Sequence, residues 1–147
     1  MSEKENKKPT VTEELLKRIE ESRDIGEALE ENKDKFIKVS LHSYLEALLK
    51  EKGISKKELI ATADFHETYI HQVFNGRKKP SRTKLLQLCL GMQLGVEETQ
   101  RVLKYGGYAQ LYPRIKFDSI IIFALKNKKN VYDTNSLLEE CGLEPLS

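Results

Sequence analysis

The segment over residues 53–81 constrains the fold of this chain most, because it encodes two short helices separated by a tight break. Ser55 has the character of a helix N-cap, and Glu58 three residues later completes a capping box. The helical spacing of apolar residues resumes after the break and predicts a second helix over about residues 66–74. Ala63 is small and stands where the two helices would cross. Two short helices joined in this way are typical of a helix-turn-helix.

The second of these predicted helices has a polar outer face. Tyr69, Ile70 and Val73 face inward at helical spacing. The outer face then carries five polar side chains, namely Glu67, Thr68, His71, Gln72 and Asn75. A basic loop over residues 77–79 follows. Amide and hydroxyl groups read base edges in a major groove and cations neutralise phosphates, so this pattern favours nucleic-acid binding.

The charge of the chain is unevenly distributed, although the net charge is only +2. Residues 1–34 hold 7 basic and 11 acidic side chains, whereas residues 35–147 hold 18 basic and 12 acidic ones. The most basic stretch, residues 50–84, has nine Lys or Arg against four Asp or Glu. A basic body with an acidic arm favours a polyanionic partner. The alternative is a lysine-rich helical surface that simply faces solvent.

The remaining patterns are helical too and predict an all-α chain in three parts. Residues 1–39 form an acidic arm, partly disordered or helical, whose helix begins with Thr12 as N-cap. Residues 40–107 form a helical body that contains the two helices described above. Residues 108–147 form a helical extension that packs on this body. Its three isoleucines, at 120–122, could instead form a strand, but no second strand-like segment exists to pair with them.

The body resembles a known family in an ordered series of residues. The series is Gly53, Ser55, Glu58, Leu59, Ala63, Tyr69, Ile70, Val73, Asn75, Gly76, Pro80, Ser81, Leu85 and Leu86. Over residues 41–96 the chain thereby resembles the Xre-like helix-turn-helix family, the lambda-repressor and Cro type of DNA-binding domain. The resemblance implies a five-helix, all-α domain whose third helix, at about residues 66–74, enters the major groove of DNA.

The resemblance also implies which positions contact DNA. The positions that read bases fall on Glu67, Thr68, His71 and Gln72. The positions that contact the phosphate backbone fall on Lys56, Asn75, Arg77, Lys78 and Lys79, with Arg82 as a further candidate. A later series of residues resembles, less specifically, a helical extension found behind such domains in small bacterial regulators. The series is Glu97, Glu98, Thr99, Leu103, Gly106, Gly107, Tyr108, Asp118, Ile121, Ile122, Leu125, Asn135, Leu137 and Leu138. That likeness implies packing, dimerisation or partner contact.

Four positions depart from the family pattern. Asp64 occupies a turn position that is usually Gly, and it can adopt the left-handed conformation at modest cost. Lys56 replaces a frequent Gln and still donates to phosphate, but as a point charge. Phe74 replaces a frequent Glu and is expected near the rim of the DNA-binding face. Glu67 places a negative charge on that face, where it either accepts a hydrogen bond from cytosine or weakens DNA binding.

Other kinds of site find little support in the sequence. His42, His66 and His71 have no usual metal-ligand spacing. Cys89 lies in an apolar row and is expected in the core, whereas Cys141 is expected to be a free thiol near an exposed end. No glycine-rich phosphate loop and no acid–base pair of carboxylates is evident. We therefore expect no enzymatic activity, no metal and no cofactor, and no apolar run is long enough to span a membrane.

These patterns predict a sequence-specific DNA-binding transcriptional regulator of bacterial or phage type, located in the cytoplasm at the nucleoid. It is expected to bind double-stranded DNA as a homodimer, because one recognition helix reads too few base pairs alone. The alternative is a protein-interaction module on the same fold, with weak or no specific DNA binding. Glu67, Phe74 and the near-neutral net charge favour it, and its contact surfaces would be the arm and the C-terminal helices. In a third hypothesis, the acidic arm folds over the basic face and inhibits it.

Overall fold

The structure, a computed structural model, describes residues 10–35 and 40–147. Within these ranges all regular secondary structure is helical, so the predicted all-α class is confirmed. The α-helices are α1 (Val11–Glu21), α2 (Ile25–Glu31), α3 (Leu41–Lys52), α4 (Lys56–Ala63), α5 (Glu67–Phe74), α6 (Arg82–Gly91), α7 (Val96–Tyr105), α8 (Lys116–Lys126) and α9 (Val131–Glu140). A 3-10 turn follows α2 at Lys33–Lys35. No helix in the described ranges is long and apolar enough to cross a membrane.

The described residues form two units, and the first, residues 10–35, contains α1 and α2. The two helices pack against each other. A hydrogen bond of 3.1 Å from the guanidinium of Arg18 to the side-chain oxygen of Asn32 joins α1 to the end of α2. The rest of the predicted arm, residues 1–9 and 36–39, lies outside the described residues.

The helix ends in this unit differ from the prediction. The N-cap of α1 is Thr10, whose hydroxyl accepts a hydrogen bond of 3.0 Å from the N–H of Glu13, so the prediction of Thr12 is wrong. The helical stripe is also interrupted after α1, because Asp24 caps a separate helix. Its carboxylate accepts a hydrogen bond of 3.2 Å from the N–H of Glu27. A side chain that satisfies a free N–H of the first turn fixes where a helix begins.

Helix α6 lies at the centre of the second unit, residues 40–147. It contacts α4, α7, α8 and α9, and every side chain over residues 85–90 is buried. A helix that is largely apolar on all sides is stable only when other elements cover it. Its N-cap is Ser81, as predicted, whose hydroxyl accepts a hydrogen bond of 3.2 Å from the N–H of Lys84.

The capping box of α4 and the break between α4 and α5 lie where the sequence predicts them. The capping box of Ser55 and Glu58 is present, with both of its reciprocal hydrogen bonds. Helix α4 ends at Asp64, which adopts the left-handed conformation with φ of 58°. Helix α5 then begins at Glu67, with His66 as an N-cap that makes no side-chain capping bond. The left-handed residue turns the chain sharply, so that α5 leaves in a new direction after only a few residues.

Helices α8 and α9 contact each other and also α6. Ile121 and Leu125 of α8 and Leu138 of α9 belong to the same buried cluster as the core side chains of α3–α7. The isoleucines at 120–122 lie within α8, so the strand alternative for them is wrong. Helical geometry buries Ile121 completely, while its two neighbours pack on the edge of the core.

Candidate nucleic-acid interface

Helix α5 presents on its solvent side the four residues that were predicted to read bases. Glu67, Thr68 and His71 are exposed, and Gln72 is half-buried. Ile70, on the opposite side, is fully buried and anchors the helix in the core. We call these four polar residues the outer face of α5, and Asn75 is left out because it lies past the end of the helix.

Glu67 and His71 lie next to each other on the outer face and form an ion pair only when the imidazole is protonated. A carboxylate oxygen of Glu67 lies 3.7 Å from Nε2 of His71, one helical turn away. The two side chains are 74% and 54% exposed, so the pair is weak in water. Thr68 and Gln72 have no ionisable side chain, and both can donate and accept hydrogen bonds.

Two lysine ammonium groups stand over one tyrosine ring beside the outer face. Nζ of Lys84 lies 4.8 Å from the centroid of the Tyr69 ring, and Nζ of Lys78 lies 5.8 Å from it. An aromatic ring attracts a cation placed over its face. Within the described ranges neither ammonium lies within 4.0 Å of a carboxylate. The ring therefore gathers two positive charges that no described acidic side chain neutralises by a direct ion pair.

Tyr69 itself is partly buried and stays uncharged. Burial, followed by the effect of nearby Tyr108, raises the pKa of the Tyr69 phenol above its ordinary value. The ring of Phe65 packs against it with centroids 5.2 Å apart. The phenol thus remains a neutral support for the lysines and adds no negative charge that would repel a phosphate.

The turn that leads into the basic loop is held by hydrogen bonds. The backbone N–H groups of Arg77 and Lys78 both donate to the carbonyl of Gln72, at 2.9 and 3.0 Å. The side-chain oxygen of Asn75 accepts a further bond of 3.0 Å from the N–H of Arg77. Asn75 therefore uses its oxygen inside the turn, and its NH₂ group is the part that can donate to a phosphate.

A close contact with α3 also requires glycine in this turn. Gly76 has φ of 81°, a conformation that side chains rarely adopt. A Cβ atom at this position would lie 2.7 Å from Cε1 of His42 in α3. The imidazole of His42 thus packs directly on the backbone of the turn and joins α3 to the end of α5.

Lys56, the first residue of α4, lies beside the C-terminal end of α5. Its Nζ stands 5.6 Å from the ring centroid of Phe74 and 3.3 Å from a carboxylate oxygen of Glu46. Phe74 is only 5% exposed, so the prediction that it lies near the rim is wrong. The ring of Phe74 packs in the core on the buried side of α5, and the ammonium of Lys56 stands over the ring.

Two predicted phosphate-contacting residues face the C-terminal extension. Nζ of Lys79 lies 4.8 Å from the ring centroid of Tyr108. Arg82 forms a bidentate ion pair with Asp118, with N–O distances of 3.0 and 3.2 Å, and its side chain is only 26% exposed. Because this guanidinium already donates to acceptors inside the chain, we do not include Arg82 among the phosphate contacts.

Lys84 and Tyr69 belong to this surface although neither was predicted to contact DNA. Lys84 follows the predicted cap Ser81 by three residues, which places it in the first turn of α6, next to the basic loop. Tyr69 was assigned to the inner side of α5, yet it is only partly buried. The cap spacing could have indicated Lys84, whereas its approach to Tyr69 depends on how α5 and α6 pack.

Metal binding and thiol chemistry find little support in the described residues. No group of three or more His, Cys, Asp or Glu able to hold a metal ion occurs in the part of the chain that the structure describes. Cys89 is buried, and burial raises the pKa of its thiol to about 12, although a hydrogen bond with Thr99 partly opposes the shift. Cys141 is a free, exposed thiol. A thiol with such a raised pKa is a poor nucleophile.

Comparison with protein-family models, curated proteins and solved structures finds no match for this chain.

Proposed function

We propose that this chain is a sequence-specific DNA-binding protein that regulates transcription, with α5 as the helix that enters the major groove. In this proposal α3–α7 form the five-helix, lambda-repressor-like domain that the resemblance implies. The protein binds and carries out no reaction of its own. One observation supports this function most directly. The polar outer face of α5 lies beside lysines that form no ion pair with a carboxylate among the described residues.

The residues divide into two roles by position and chemistry. Thr68 and Gln72 offer neutral donors and acceptors, which can discriminate base edges in the major groove. Lys78 and Lys84 both hold an ammonium over the ring of Tyr69 in α5, and in this proposal they contact the phosphate strand. Cations positioned in this way supply affinity without sequence preference, and they fix the register of the helix on the duplex.

A homodimer follows from the small size of the reading surface. One helix with four outward polar residues contacts about three or four base pairs, which gives too little discrimination in a genome. Two copies on a symmetric site double the contacts and demand a fixed spacing between half-sites. We therefore propose that two copies of this chain bind one duplex.

The salt dependence of duplex binding tests the role of the cations. We would measure the affinity for one double-stranded DNA at several salt concentrations for the unaltered chain, Lys78→Gln and Lys84→Gln. Each substitution should lower the slope of log K against log salt by about 0.9. Lys126→Gln, which removes the same charge from an exposed site on α8, is the matched control and should leave the slope unchanged. Equal slopes for all four proteins would contradict the assignment.

A second candidate function is supported by apolar side chains after residue 107. Four large ones are strongly exposed, namely Tyr112 (52%), Ile115 (51%), Phe123 (53%) and Tyr132 (79%). Exposed aromatic residues are enriched where proteins bind other proteins. A protein-interaction module on the same fold would use such exposed side chains. It would show no sequence preference in a selection from random duplexes.

A further inference from the structure

The C-terminal extension contacts the start of α6 through a partly buried ion pair. Both oxygens of Asp118 in α8 accept from the guanidinium of Arg82, at 3.2 and 3.0 Å. Asp118 is 1% exposed and accepts a further bond of 2.9 Å from the N–H of Tyr112. A buried carboxylate with three such bonds is held in one geometry, because breaking any of them leaves a charged group unsatisfied.

The same guanidinium also binds the backbone that enters the extension. It donates to the carbonyl of Ala109 at 2.9 Å and to the carbonyl of Gln110 at 3.4 Å. Arg82 is the first residue of α6, directly after the cap that ends the basic loop. One side chain thus fixes the start of α6 against two separate parts of the extension.

A second contact reaches the basic loop itself. The hydroxyl of Tyr108 donates a hydrogen bond of 2.7 Å to the carbonyl of Pro80. The ring of the same tyrosine lies under the ammonium of Lys79. Pro80 and Lys79 are consecutive, so one side chain holds both the backbone of the loop and one of its cations.

From these contacts we infer that Tyr108 and Asp118 are positioning residues for DNA binding, which hold the basic loop where its lysines meet the phosphate backbone. This role rests on the proposed function. Residues 108–118 then do more than cover the core, because they anchor the basic loop at Pro80 and the start of α6 at Arg82. Neither positioning residue needs to touch DNA.

Removal of the hydroxyl oxygen of Tyr108 tests the positioning role. Tyr108→Phe deletes the hydroxyl that donates to Pro80 and keeps the ring under Lys79. Tyr112→Phe is the matched control, because Tyr112 is 52% exposed and its hydroxyl makes no hydrogen bond in the described residues. We expect Tyr108→Phe to weaken binding to the selected duplex about threefold to tenfold, the range of a single hydrogen bond. The slope of log K against log salt should fall by up to about 0.9, as one phosphate contact is lost.

The readouts separate positioning from a merely structural role. A substitution that only lowered stability would leave the affinity and salt slope of the folded protein unchanged. Hydrogen exchange of the backbone amides of residues 77–79 should become faster in Tyr108→Phe and stay normal in Tyr112→Phe. The inference alone would be overturned if the unaltered chain selects DNA normally while Tyr108→Phe equals the control in affinity, salt slope and hydrogen exchange. Failure of the unaltered chain to bind any duplex would overturn the proposed function, and the inference with it.

Discussion

Gly91 in α6 lies so close to Ala63 in α4 that a Cβ atom on Gly91 would stand 2.7 Å from the Cβ atom of Ala63 and 3.1 Å from its Cα atom. Two hydrogen bonds surround this contact. Thr62 donates to the carbonyl of Gly91 at 3.2 Å, and Gln87 donates to the carbonyl of Ala63 at 2.5 Å. The close approach of α4 and α6 at this point therefore requires that residue 91 carries no side chain. Because α5 begins only four residues after Ala63, this contact also constrains where the outer face of α5 points.

Substitution of this glycine should destabilise the fold. Gly91→Ala places a methyl group against backbone atoms that cannot move aside, and such overpacking costs about 1–3 kcal/mol. Replacing Gly by Ala in a helix returns at most ~1 kcal/mol, so we expect a net loss in the free energy of unfolding. Denaturant unfolding measures this loss in the free energy of unfolding. Ser136→Ala, at an exposed position in α9, is the control and should change stability by less than about 0.5 kcal/mol. Equal stability of the two variants would show that α4 and α6 do not meet as described.

An ion pair between α3 and α7 should make stability depend on pH in the acid range. Lys52 lies 3.0 Å from Glu98, which also accepts a hydrogen bond of 3.1 Å from the N–H of Gly95. Burial alone would raise the pKa of Glu98, but the hydrogen bond from Gly95 and the charge of Lys52 outweigh it and lower that pKa. A lowered pKa in the folded state contributes stability above the unfolded value of about 4.3, and the contribution is lost as pH falls through the folded value.

Glu98→Gln tests this contribution. The variant should be less stable than the unaltered chain at neutral pH by less than about 1 kcal/mol, because the pair is partly exposed. The difference should shrink at acid pH, below the lowered folded-state pKa, where Glu98 is protonated in both states. Glu97→Gln alters a neighbour that is 89% exposed and should change stability at neither pH. A difference for Glu98→Gln that grows on acidification would contradict the assigned sign.

The two cysteines should differ sharply in reactivity. Cys141 is exposed, whereas Cys89 is fully buried with its thiol pKa raised to about 12. A thiol-specific reagent should therefore label one cysteine quickly in the native protein and the second only on unfolding. Cys141→Ser should abolish the fast phase. Fast labelling that persists in this variant would show that α6 is more accessible than the structure indicates.

Base reading and phosphate contact should separate in binding measurements. Gln72→Ala should cost about 1–3 kcal/mol on the preferred duplex and relax the sequence preference, with little effect on random DNA. Lys78→Ala should weaken binding to all duplexes alike and flatten the salt slope by about one. Competition between the preferred and a random duplex measures both effects. Equal losses on both duplexes for both variants would contradict this division of roles.

The local features of the fold were predictable because each is encoded within a few neighbouring residues. Ser55 with Glu58, the left-handed Asp64 and the cap at Ser81 all depend on backbone groups three residues away or nearer. The placement of Thr12 as a cap failed for a similar local reason. Thr10 lies two residues earlier and offers the same hydroxyl to the first turn, so composition alone does not choose between them.

The relationships between distant residues could not be read from the sequence. Arg82 looked like one more cation of the basic loop, and its partner Asp118 lies 36 residues further along the chain. Phe74 was expected at a rim, but the packing of α5 puts it in the core. Lys84 joins the basic surface only because α5 and α6 bring it over the ring of Tyr69. These outcomes depend on tertiary packing, which periodicity and spacing do not specify.

Selection from random duplex DNA by the purified chain, at about 0.15 M salt, tests DNA recognition most directly. We expect enrichment of a two-fold symmetric sequence whose half-sites lie about one helical turn apart, as two copies of α5 would require. The Gln72→Ala variant should enrich the same symmetric spacing with weaker base preference. Recovery of random sequence by the unaltered chain, with weak binding that is equal for all duplexes, would contradict specific recognition and favour the protein-interaction module.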